Sequence, residues 1–184
     1  MLEQDWMEAA AKLGCEVAAI KAVAAVESPG SGFMTTGEPF ILFEAHIFSR
    51  LTNHQYDTAY PGISSPRWNK SLYRNSAGEH LRLAEAIKLD RDAALQSASW
   101  GRFQILGCNW KRCGYASLQE FINAMYRSES DHLHAFCAFI MSMGLADELQ
   151  RKDFHGFSLI YNGPSAAENR YAERMEDAYE ESAA

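Results

Sequence analysis

Apolar positions recur at helical spacing over most of the chain. Val17, Ile20, Val23 and Ala24 fall on one face of a stretch that predicts a helix over 16–28, preceded by another over 3–13. The second helix has to stop near Glu27. After it, Ser28-Pro29-Gly30-Ser31-Gly32 joins a proline that resists helix continuation to glycines that permit tight turns, so Glu27 is expected at a helix end beside a loop. Further helices are predicted at 79–89, 91–98, 117–127, 130–143, 153–160 and 165–180. The one at 117 opens on Ser117 and Glu120, spaced as a capping box. Phe136, Phe139, Ile140 and Met143 make a stripe expected to be core.

The pattern breaks twice. Residues 40–45 (FILFEA) are apolar, aromatic and β-branched enough for a short strand, which 46–52 could continue or turn into a helix. In a strand Leu42, Glu44 and His46 would share one face, with Ile41, Phe43 and Ala45 on the other. Residues 53–78, rich in Asn, Tyr, Pro, Ser and Gly, hold no helical period and predict a long irregular excursion, a kind of segment that is often functional. The expected fold class is mainly α with a small β element. No repeat, low-complexity tract or linker divides it, so a single domain over 1–184 is expected.

Composition narrows the partners. An apolar fraction of 47% with 22% charged residues is ordinary for a globular chain, and no stretch approaches the ~20 apolar residues that span a bilayer. A soluble protein without stable membrane insertion is expected. The N-terminal MLEQDWMEAAAKLG has acids where a secretory signal needs an early basic cluster, which predicts synthesis without that export route. A net charge of −7 with no basic arm gives a nucleic-acid partner no support. Cys15, Cys108, Cys113 and Cys137 lack zinc-site spacing and read as reduced thiols. His46 follows Glu44 at i+2 and His134 follows His132 likewise, but no H-E-x-x-H or other zinc spacing occurs, so no metal is expected. With no phosphate-binding glycine loop and no G-x-S-x-G elbow, no cofactor, nucleotide chemistry or serine hydrolysis is expected either.

The candidate chemistry is that of carboxyl groups. Glu27 follows Ala24, Ala25 and Val26, apolar surroundings that disfavour an ionised carboxylate and suit a general acid. Glu44 is the best second carboxylate, with a structural tie to Arg50 or backbone amides as the alternative; Asp57, in the excursion, is a weaker candidate that reads equally as a turn residue. Residues 97–105 look like a loop entering a short helix. There Gly101 would let backbone approach a ligand and Gln104 would offer it both a donor and an acceptor. Tyr161-Asn162-Gly163-Pro164 ends one helix and begins another, and both Tyr161 and Asn162 are candidate substrate-binding residues.

Taken in order, 27–33 (ESPGSGF), 39–50 (PFILFEAHIFSR), 99–105 (SWGRFQI) and 161–164 (YNGP) resemble the N-acetylmuramidase domain of phage and prophage endolysins, and more distantly goose-type lysozymes and lytic transglycosylases. The resemblance covers nearly the whole chain. It implies a lysozyme-like fold and hydrolysis of the β-1,4 bond between N-acetylmuramic acid and N-acetylglucosamine in peptidoglycan glycan strands, with Glu27 as catalytic acid and the Tyr161 hydroxyl reaching it. A lytic transglycosylase, leaving an anhydro-muramic product, is the rival that the resemblance keeps nearest. Inversion or retention depends on a carboxyl separation that stays open at this point. Many relatives carry a wall-binding module ahead of this domain, and none is expected here. A monomer is expected, and with no export signal read at the N-terminus the protein is expected to be made in the host cytoplasm and to act in the periplasm once the membrane is breached, as by a holin.

Overall fold

Two helices, α1 (Glu3–Leu13) and α2 (Val17–Glu27), open the computed structural model, which describes residues 1–28, 30–164 and 166–183. Pro29 and the predicted helix start at Ser165 lie outside the described residues. α2 is almost wholly apolar and correspondingly central, with Ala19, Ile20, Ala22, Val23 and Ala24 fully buried. It ends where expected: Ser28 is extended, and its N–H closes the last turn on the Ala24 carbonyl. The loop beyond folds tightly. A Cβ on Gly32 would sit 2.6 Å from His132 Nδ1 and 2.8 Å from the Arg102 amide, so the residue is glycine because backbone and ring meet there.

The β element is a three-stranded antiparallel sheet, β1 (Ile41–Phe43), β2 (Ala98–Trp100) and β3 (Ile105–Leu106), in that order. Leu42 pairs with Ser99, and Ser99 with Leu106, so these three share one face. Ile41, Phe43, Ala98, Trp100 and Ile105 occupy the other, which is buried. The sheet corrects two expectations. Residues 97–105 are not a loop entering a helix but a strand, a single 3-10 turn and a strand, with runs too short to show alternation. And the strand stops at Phe43: Glu44 is the N-cap of α3 (Ala45–Leu51), so Glu44 and His46 do not lie on a common strand face.

Helices α4 (Ser76–Leu89) and α5 (Arg91–Gln96) start on the Asn75 and Asp90 side chains, which accept from Gly78 and Ala93 amides. α6 (Leu118–Arg127) is capped by Ser117, and Glu120 reaches back to the Ala116 amide. In α7 (Glu129–Met143) Phe136, Phe139 and Ile140 are buried, and Phe136 stacks on Phe103 at 4.2 Å. α8 (Ala146–Arg151) was not anticipated. α9 (Phe154–Tyr161) leads through turns to α10 (Tyr171–Ala183), whose start falls later than 165 and which packs along α2.

One carboxylate ties the excursion after α3 to the sheet and to α4. Glu79, 1% exposed in the first turn of α4, accepts from the Phe43 amide at 2.9 Å and the Arg74 amide at 2.6 Å, and pairs with Arg82 at 2.9 Å. Arg82 also donates to the carbonyls of Phe43 and Gly62. Sheet, helix and excursion thus share a fully hydrogen-bonded buried ion pair, the condition under which such a pair is tolerated.

Candidate active site

The open face of the sheet forms one wall of a groove, and α2, α7, α9 and α10 supply the other. A hollow of about 330 Å3 is lined by Glu27, Leu42, Glu44, Ser99, Gln104 and Asn162 among others; a second of about 270 Å3 is lined by Glu27, Leu42, Arg74, Ser76 and Gln104. Glu27, Leu42 and Gln104 belong to both. The two hollows therefore adjoin at the carboxyl that ends α2, as a groove for a polymer cut at its middle requires.

Glu27 is half-buried at the floor. Burial pushes its carboxyl up to about 7, against the opposing pull of the Asn162 amide and the Arg174 charge. Asn162 Nδ2 donates to Glu27 Oε1 at 2.6 Å. Arg174, from α10, donates to the Val26 carbonyl at 3.1 Å and so meets the negative end of α2. Arg102 does likewise for the Ser28 carbonyl.

Tyr161 differs from its expected part. Its hydroxyl donates to the Phe103 carbonyl at 2.6 Å rather than to Glu27, and its ring stacks on Phe157 at 5.1 Å. Burial first, and then the nearby Glu27 charge, push this hydroxyl well above its ordinary range, so it stays a neutral wall of the cleft. The partner of the acid is the adjacent Asn162. Its other amide atom, Oδ1, is buried and has no hydrogen-bond partner among the described residues.

Gln104 sits in a left-handed turn, φ 48°, between β2 and β3, and its Nε2 donates to the Gly101 and Phe40 carbonyls at 2.9 and 3.3 Å. With both amide hydrogens occupied, only its oxygen is available to a sugar, not the donor and acceptor together. Gly101 serves packing rather than ligand approach: a Cβ there would lie 2.6 Å from the His132 ring. That ring accepts from the Arg102 amide, faces the Met125 carbonyl and stacks on Phe33, a core role.

Of the two candidates for second carboxylate, Glu44 lines the hollow with Glu27. Neither Arg50 nor an amide holds it; Tyr73 donates to its Oε2 at 2.7 Å, and His46 approaches the same oxygen at 3.3 Å. Asp57 lies apart. Burial opposes its ionisation, but hydrogen bonds from Ser64, Ser49 and His54 outweigh this and hold the carboxyl below its usual range, as a brace within the excursion. Tyr73 had no sequence signal beyond an aromatic residue in a polar segment. Among the described residues no cluster of His, Cys, Asp and Glu could hold a metal, and the four cysteines are free thiols.

The fold and the family can be compared with those of known proteins. A sequence profile of the N-acetylmuramidase family matches residues 16–183. No curated protein matches the chain. Among solved structures, the crystal structure of Burkholderia AP3 phage endolysin is similar, with a TM-score of 0.88 and 35% identity over 100% of this chain and 71% of that one. The groove with its protonatable glutamate, the family profile and the shared architecture lead to one conclusion: the chain belongs to the N-acetylmuramidase family and is a lysozyme-like glycoside hydrolase of peptidoglycan.

Proposed function

We propose that the chain acts as a phage-type endolysin and that Glu27 donates the proton to the glycosidic oxygen between N-acetylmuramic acid and N-acetylglucosamine. The observation that carries this reading is the place of the Glu27 carboxyl at the junction of the two hollows, held by Asn162, where burial pushes it up to about 7. A carboxyl in that range is protonated often enough near neutral pH to act as acid and is ionised after transfer. Asn162 holds Oε1 in both states. Glu44 then orients the water that attacks the oxocarbenium-like sugar and accepts the proton this water releases as its C–O bond forms, with Gln104, Asn162 and Tyr161 as the polar and aromatic lining that places the strand. Residues 1–184 serve as one catalytic unit, a reading supported by the shared hydrophobic core of the described residues.

The protein is made in the host cytoplasm and reaches the wall through a separately made membrane lesion. Among the described residues no helix is long and apolar enough to cross a membrane. Digestion of purified peptidoglycan followed by mass spectrometry of the released muropeptides tests the reaction. Reducing muramic ends are expected; anhydro-muramic ends would assign a transglycosylase instead, and Glu44 would then lose its role with water.

A further inference from the structure

The excursion brings two aromatic side chains to Glu44 that the reaction as described does not use. Trp68 is 59% exposed, yet its indole N–H is engaged, donating to the Tyr73 hydroxyl at 2.7 Å with the rings edge to face at 6.2 Å. Tyr73 donates onward to Glu44 Oε2 at 2.7 Å. The direction of this chain is fixed by chemistry. An indole N–H can only donate, so the phenol oxygen is the acceptor of that pair and its single proton is free to be aimed at the carboxylate. Burial and the Glu44 charge both push the Tyr73 hydroxyl up from its ordinary range, which keeps the proton on it.

Both contacts to Glu44 fall on one oxygen: Tyr73 and His46 meet at Oε2. Oε1 is then the atom left for the groove. A carboxylate pinned at one oxygen presents the other in a single direction, whereas an unpinned one rotates through orientations that cannot hold a water against the sugar. We infer that Tyr73 is a positioning residue acting through Glu44, fixing by way of Oε2 the oxygen that orients the attacking water, and that Trp68 fixes the Tyr73 hydroxyl in turn. This rests on the proposed role of Glu44 in hydrolysis.

The test is a set of kcat and KM measurements on solubilised glycan strands. Tyr73→Phe keeps the ring and loses the hydroxyl; its kcat is expected to fall about tenfold, with KM within about twofold of the parent, since orientation rather than binding is lost. Trp68→Phe should cost about two- to threefold, and Trp68→Phe with Tyr73→Phe no more than Tyr73→Phe alone, because the indole acts only through the hydroxyl. Glu44→Asp keeps the carboxylate but draws it back from Tyr73. In that background Tyr73→Phe should cost nothing further. Equal losses from Tyr73→Phe in both backgrounds, a loss confined to KM, or an unchanged kcat in Glu44→Asp would each overturn the inference. So would additive effects of Trp68→Phe and Tyr73→Phe, and these surface-proximal variants decide the matter should the Asp variant not fold. The reading of the reaction fails separately, through a fully active Glu27→Gln or the absence of reducing muramic ends.

Discussion

The two walls of the groove are built on opposite principles. On one side Glu27 ends a helix whose residues are almost all apolar and mostly buried, and α10 and Asn162 close around it, so apolar packing resists its charge and its carboxyl rises to about 7. On the other, Glu44 caps a short helix beside a polar excursion and is wrapped in hydroxyl and imidazole groups. A proton donor needs an environment that resists its charge; a group that holds water needs hydrogen bonds that fix its direction. Packing supplies the first and polar networks the second, which is why one wall is regular and the other is not.

The largest test of this contrast is Glu27→Gln. The amide cannot donate the proton, so kcat/KM is expected to fall by about 10²–10⁴-fold with the fold intact. In the parent, activity should decline as pH rises through about 7, where the acid ionises. Stability carries the same sign. Because the folded carboxyl is raised from 4.5 to about 7, its stabilising contribution is complete below 4.5 and is lost as pH climbs through about 7. Glu27→Gln removes the buried charge, so urea unfolding at pH 8 should find the variant more stable by up to about 3 kcal/mol, and at pH 4 no different. A variant less stable at pH 8 would mean that the site welcomes the charge.

The difference between the walls also decides what could be read in advance. Val17, Ile20, Val23 and Ala24 announce α2, and the Ser28-Pro29-Gly30 break announces its end, because both are local signals. The Phe136 stripe is legible for the same reason. The sheet is legible only at 40–45, where the apolar run marks β1; β2 and β3, strands of three and two residues, carry no alternation, and Gln104 turns between them. The partner of the acid is 135 positions away at Asn162, and spacing could not choose it over its neighbour Tyr161. Tyr73 and Trp68 find Glu44 only because Glu79 and Arg82 anchor the excursion that carries them. The one available hint was an acid and an arginine at i+3 in α4.

That anchor gives the next effect in size. Glu79→Ala leaves Arg82 buried without its counter-ion and frees the Phe43 and Arg74 amides, and should cost about 3–5 kcal/mol in chemical denaturation. Glu79→Met combined with Arg82→Met should be far less damaging, since no uncompensated charge remains. If Glu79→Ala costs under about 1 kcal/mol, the excursion is held by something else and the polar wall is not organised from this pair.

The smallest effect separates the walls most finely. Arg174 belongs to the apolar wall, where it caps the Val26 carbonyl and lends Glu27 a positive neighbour. Arg174→Gln should remove about 0.3–1 kcal/mol of stability, as the end of α2 loses its cation. It should also raise the Glu27 carboxyl, because withdrawing a positive charge disfavours the carboxylate, and the alkaline limb of kcat/KM should move to higher pH. Among the described residues, the other groups that act on Glu27 or feel its charge are the neutral Asn162, Tyr161 and Tyr171, so Arg174 is the charge whose removal the limb reports. Arg174→Lys, which keeps the charge, should leave the limb in place. A limb that moves to lower pH in Arg174→Gln would show that Arg174 acts on Glu27 by packing rather than by charge, and that the apolar wall sets its acid by burial alone.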